Sequence, residues 1–163
     1  DHNGYVDVNS SGKGTTFDLI FPATRQDIPQ EPTQGSLEEI KGRGQSILVV
    51  DDLRDQQDIA LSILTRLGYD ARAVDNGLEA VDIIRETPAD LVILDMIMEP
   101  SISGLETYRR IKKINPGQKA IIASSTIESE EVQTAQHSGA GSFVKKPYTI
   151  LDMGIVVKEE LEK

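Results

Sequence analysis

From Gln45 onward, short uninterrupted apolar runs alternate with longer stretches whose apolar positions recur every three or four residues. The runs are SILVV (46–50), LVIL (91–94) and AIIA (120–123). Lacking polar alternation, they predict strands buried on both faces, the pattern of a parallel sheet covered by helices. Tyr69–Val74 is more polar and is expected at a sheet edge, and residues 142–145 supply a fifth strand. Between the runs lie helical periods. Ile59, Ile63 and Leu67 are spaced by four, Ala60 and Leu64 widen that face, and Gly68 suits the helix stop. Leu78, Ala80, Val81 and Ile84 are expected to face inward between Asn76-Gly77 and Pro88. Leu105, Tyr108 and Ile111 mark a third helix, and Ile150, Met153, Val157 and Leu161 mark the last. The helix near 129–138 offers only Val132 and Ala135, so it is expected to be the most loosely anchored. Five such repeats predict one α/β domain over residues 44–163, a five-stranded doubly wound parallel sheet.

The first part of the chain has a different pattern. Tyr5–Val8 and Thr16–Phe21 read as two strands around the turn-rich NSSGKG, closed by Pro22, so residues 1–22 predict a β-hairpin. GKGTT is not a phosphate-binding loop, because a strand rather than a helix follows it. Residues 23–43, rich in Pro, Gln, Glu and Gly, read as a linker in which SLEEIK forms one helical turn with Ser36 as N-cap.

Composition narrows the function. A formal net charge of −10 disfavours nucleic-acid binding, which needs clustered Lys and Arg. No apolar run approaches the roughly 20 residues of a membrane helix, so no membrane contact is expected. The absence of cysteine excludes disulfides and thiolate metal sites and fits a cytoplasmic setting. The first residue is Asp rather than Met, so a longer parent chain is expected.

Taken alone, Asp95 reads equally well as the start of a loop or as an acid at a ligand-binding sheet edge. Parallel topology decides between these, because it brings the strand ends Asp51, Asp52, Asp95, Ser124 and Lys146 to one edge. Three carboxylates there repel one another unless a cation relieves them, and Mg²⁺, with its preference for oxygen ligands, is the natural one. A carboxylate beside that cation can act as a nucleophile toward phosphorus, with Lys146 and Ser124 on the phosphoryl oxygens.

These residues carry a resemblance. VVDD (49–52), LVILD (91–95), ASS (123–125) and KKP (145–147) resemble, in order and spacing, the receiver domain of bacterial response regulators, a flavodoxin-like fold. The resemblance implies Asp95 as phosphoacceptor and Asp51, Asp52, Asp95 and the backbone carbonyl of Ile97 as Mg²⁺ ligands. It also implies Lys146 as the phosphate-binding lysine, Ser124 as switch hydroxyl and Phe143 as switch aromatic. The implied partner is the phosphohistidine of a histidine kinase or phosphotransfer domain. HNGYVDVNSSGKGTTFDLIFP at 2–22 resembles the last hairpin of the ATP-binding domain of sensor histidine kinases, which places the receiver at the end of a hybrid kinase. The nucleotide boxes and the phospho-accepting His motif of that family are missing, so this chain by itself is not expected to be a kinase. Because an isolated hairpin is marginal in water, it is expected to pack on the receiver or on a second copy as a homodimer.

The sequence departs from the receiver pattern in one place. The loop between Asp95 and Gly104 is one residue longer than the common form, with Glu99 as the insertion. Two rival readings are a phosphorylation-silent docking or dimerisation module of the same fold and a Mg²⁺-dependent phosphatase. DMIME argues against the phosphatase, since Met or Ile stands where its second acid is needed.

Overall fold

The computed structural model describes residues 4–23, 34–126 and 130–163. The chain divides into two compact units, 1–31 and 32–163. In the first, β1 (Tyr5–Ser11) and β2 (Gly14–Ile20) pair antiparallel across a two-residue turn, making both strands longer than the apolar pattern predicts. Directly opposed residues share a face, so the pairs Val6↔Leu19 and Val8↔Phe17 form an apolar face. Asp7↔Asp18 lies on the opposite face.

In the second unit, the three apolar runs become the middle of a five-stranded sheet. Its elements are α1 (Gln34–Glu39), β3 (Ser46–Val50), α2 (Arg54–Arg66), β4 (Asp70–Val74), α3 (Gly77–Glu86), β5 (Leu91–Asp95), α4 (Gly104–Ile114), β6 (Ala120–Ser124), α5 (Glu130–His137), β7 (Phe143–Lys145) and α6 (Ile150–Glu162). The strand order is β4-β3-β5-β6-β7, and every pair is parallel. The polar strand β4 is at an edge, as its composition predicts. Alternation along the strands divides the core in two. Leu48, Val50, Val92, Leu94 and Ile122 face α3, α4 and α5, whereas Ile47, Val49, Leu91, Ile93 and Ile121 face α2 and α6.

Two expected core positions lie outside. Ile59 is 46% and Leu78 48% exposed. A row spaced strictly by four drifts roughly 40° around a helix at each step, so Ile59, Ile63 and Leu67 cannot all point one way. The buried stripe of α2 is Gln57, Ala60 and Leu64, continued by Leu67 just past its end. On α3 the inward residue of the first turn is Gly77, where a Cβ would lie 1.9 Å from Thr107 Oγ1, and Leu78 turns outward. Gly68 has φ +84, the left-handed conformation expected of a helix stop.

The second unit begins before residue 44. Helix α1 starts at Gln34, so Ser36 is inside it rather than at its N-cap. Leu37 and Ile40 pack on the α2/α6 side of the core. The Tyr69 hydroxyl donates to Ile40 C=O at 3.2 Å, and Gly42 N–H donates to Leu67 C=O at 2.8 Å. Gly154 of α6 makes room, since a Cβ there would stand 2.4 Å from Ile40 Cδ1.

At the other end, buried Glu160 ties α6 to the segment entering β7. Its Oε2 accepts from Ser142 N–H at 3.0 Å, Ser142 Oγ at 3.2 Å and Lys163 Nζ at 2.7 Å. Burial opposes the charged form, but Lys163 and Ser142 outweigh it and hold the carboxyl below its ordinary value. A depressed carboxyl stabilises the fold above the unfolded value of about 4.3, and that stabilisation is lost as pH falls through the folded value. Glu160→Gln is therefore expected to cost about 1–3 kcal/mol at pH 7 in urea unfolding, with the difference from wild type closing in acid.

Candidate functional site

Because β3 and β5 are neighbours with Val50 opposite Leu94, the acids that follow them come side by side at the carboxyl edge. Ser124 ends β6, and Lys146 directly follows β7. The order β3-β5-β6-β7 thus lays Asp51, Asp52, Asp95, Ser124 and Lys146 along one rim. Lys146 reaches back across it, with Nζ 2.5 Å from Asp51 Oδ2 and 3.0 Å from Asp95 Oδ2. All three partners are largely buried, so this bridge is little screened by solvent.

Backbone donors fix one oxygen of each carboxylate. Asp51 Oδ1 accepts from Leu53 N–H at 3.0 Å. Asp95 Oδ1 accepts from Met96 N–H at 2.7 Å and, at the outer limit of 3.5 Å, from Ile97 N–H. Asp52 Oδ2 accepts from Glu99 N–H at 3.2 Å. Burial pushes the Asp95 carboxyl above its ordinary value and Asp51 adds to this, while the Lys146 bridge opposes it. Tyr148 packs on the α2/α6 core, and burial together with Asp51 and Asp95 pushes its phenol up to about 12.

One carboxylate oxygen from each of Asp51, Asp52 and Asp95 lies within 4.8 Å of the others. Asp52 and Asp95 open, with Ser124, Lys146, Ile97, Leu53 and Pro147, onto a cavity of about 440 Å³. An all-oxygen donor set of this spacing fits a hard divalent cation such as Mg²⁺. Residues 47–157 match the response regulator receiver domain family. The chain belongs to that family.

Among its relatives, the chemotaxis protein CheY of Thermotoga maritima is 34% identical over 64% of this chain and 88% of its own length. The crystal structure of the receiver domain of NtrX from Brucella abortus, 30% identical, superposes with a TM-score of 0.68 over 72% of this chain and 98% of that one. Sensor kinase CckA of Brucella abortus is 27% identical over 98% of this chain, which spans only 18% of that kinase.

Within the receiver, most of the residues marked by the sequence surround the acidic cavity. Ser124 is 2% exposed, its Oγ accepting from Thr126 N–H at 3.5 Å and its C=O from Lys146 N–H at 2.9 Å. The Ile97 side chain is 62% exposed at the mouth. Phe143 is placed elsewhere. It lies half-buried against the α3/α4/α5 core and lines a separate groove with Ile155 and Val156 of α6. The Lys146–Pro147 peptide is cis.

Gln57 is a site residue that sequence reading missed. Its buried amide donates to Asp51 C=O at 2.7 Å and holds the turn that carries both acids. The available signal was a polar residue three before Ala60 and seven before Leu64, on the buried stripe of α2. The N–H of Glu99 had no such signal, because a backbone donor leaves no mark on residue type.

The raised Asp95 carboxyl has a consequence for stability. In the folded state it binds its proton more tightly than in the unfolded chain, so its contribution is favourable at low pH and is lost as pH rises through the folded value. Without divalent cations, Asp95→Asn is therefore expected to melt at higher temperature than wild type at pH 8. The gap should vanish below the unfolded carboxyl value of about 3.9; a lower melting temperature for the variant at pH 8 would contradict this.

Proposed function

We propose that this receiver takes a phosphoryl group onto Asp95 from the phosphohistidine of a histidine kinase or phosphotransfer domain. The observation that carries the reading is the Lys146 bridge, which sets one cationic donor between Asp51 and Asp95 at the mouth shared with Ser124. An Asp95 oxygen forms the new P–O bond as the P–N bond of the donor breaks, and the released imidazole nitrogen takes up a proton. Lys146 then has the phosphoryl oxygens as a second anionic partner, and the Ser124 hydroxyl donates to another. Asp51, Asp52, Asp95 and the carbonyl of Ile97 would hold Mg²⁺, whose charge offsets that of the phosphoryl group during transfer.

Signalling follows from the new dianion. Drawing Ser124 inward pulls the end of β6, Phe143 turns toward the space vacated, and α5 shifts. The small buried area of α5, only Val132 and Ala135 among its residues, supports its assignment as the moving part. The match to sensor kinase CckA across both units supports a hybrid histidine kinase as the parent protein. A cysteine-free sequence supports a cytoplasmic location.

Incubation with acetyl phosphate and Mg²⁺ is expected to add one phosphoryl group by intact mass, and Asp95→Asn is expected to abolish the gain. No gain in wild type would leave a phosphorylation-silent docking module, and an equal gain in Asp95→Asn would move the acceptor elsewhere.

The exposed face of Val6, Val8, Phe17 and Leu19 supports a homodimer through the hairpin, each copy covering the other's apolar pairs. Sedimentation velocity is expected to give a dimer for residues 1–163 and a monomer for Val8→Asp/Phe17→Asp. A monomeric wild type would overturn the dimer.

A further inference from the structure

We infer that Glu99, the extra residue of the β5–α4 loop, is a positioning residue whose backbone N–H orients Asp52 toward the cation. The inference rests on the receiver reading above and concerns the same site.

All three acids of the rim are held, but by different donors. Asp51 is fixed by Leu53 N–H and Lys146, and Asp95 by Met96 N–H and Lys146. Those backbone donors come from the turn that immediately follows each acid, and Lys146 serves both. Asp52 is only partly buried, and the Lys146 ammonium is committed to the other two carboxylates. Among the described residues it has one donor: Glu99 N–H at 3.2 Å, 47 residues further along the chain. Such a donor takes one oxygen, Oδ2, and leaves the other free for a cation. A carboxylate on a short side chain near solvent otherwise samples several orientations. Restricting it beforehand removes that loss of freedom from the cost of binding a metal.

The donor exists because of the loop's length. The next residue is Pro100, which has no N–H. Shortening the loop by one residue at this point would set that proline in the place of Glu99 and remove the hydrogen bond. The loop is also held on either side of Glu99. Met98 is 3% exposed within the core, and Gly104 N–H donates to Met96 C=O at 3.2 Å, closing the loop's base. Ile102 packs over the start of α3, where a Cβ on Gly77 would be 2.8 Å from Ile102 Cγ1. Glu99 N–H is therefore a fixed donor. The side chain itself is exposed and lines no part of the cavity among the described residues, so the role belongs to the backbone rather than to the added charge.

Two substitutions separate backbone from side chain. Glu99→Ala keeps the N–H and removes the carboxylate; Glu99→Pro keeps the loop length and removes the N–H. Calorimetric titration of MgCl₂ into the 163-residue chain at fixed ionic strength is expected to give wild-type affinity for Glu99→Ala and about tenfold weaker binding for Glu99→Pro. A measurement independent of how the proline variant folds is amide exchange by NMR. The Glu99 amide proton is expected to be downfield and slowly exchanging in wild type, and both properties should be lost in Asp52→Ala. The inference is overturned by wild-type affinity in a folded Glu99→Pro, by an equal loss in Glu99→Ala, or by a rapidly exchanging Glu99 amide in wild type. A wild-type chain that neither binds Mg²⁺ nor gains a phosphoryl group would overturn the receiver function as well, so the two failures are distinct.

Discussion

The site depends on one ammonium group shared between two buried carboxylates. Asp51 and Asp95 end adjacent strands, and their charges would repel at short range in a poorly screened rim. Lys146 offsets that repulsion from the far side of β6. It does so because β7 is the next strand over and directs the chain back toward the rim. The compensation is incomplete. Asp95 retains a raised carboxyl despite the bridge, and Asp52 lies outside the bridge altogether. A site left with surplus negative charge favours a cation, and a bound cation in turn favours an incoming phosphoryl group.

Holding several carboxylates so close requires rigid support, and the sheet supplies it. The central strands are buried on both faces, so neither β3 nor β5 can slip without exchanging one apolar core for the other. Small residues let the covering layers approach: Gly77 admits Thr107 and Ile102, and Gly154 admits Ile40. The segment before β3 thereby joins the α2/α6 layer, and Glu160 secures the opposite end of α6 to the segment entering β7. Against this frame α5 is held by few side chains, with Val132 and Ala135 as its buried residues.

The loop after Asp95 shows how a departure from a family pattern can be absorbed. One added residue does not disturb the strand or the helix that follows, because Met96, Met98 and Gly104 keep their inward positions. The extra length is spent toward the rim, where it brings a backbone donor to Asp52.

Hydrophobic patterning alone determined the architecture: five strands, their helices, β4 as an edge and the weak anchoring of α5 all follow from which residues must leave water. The convergence of Asp51, Asp52, Asp95, Ser124 and Lys146 followed as well, since parallel strands share one carboxyl edge whatever their order. Tertiary structure decided matters that residue type does not encode. It set the phase of α2, leaving Ile59 outside, because packing follows a period of 3.6 rather than a spacing of four. It assigned Leu37 and Ile40 to the core, because a short apolar pair in a polar stretch becomes informative only beside the notch at Gly154. It also brought Gln57 and the N–H of Glu99 to the acids. Both are contacts between a side chain and the backbone, which residue type does not mark, and the one from Glu99 exists only once the chain has closed on itself.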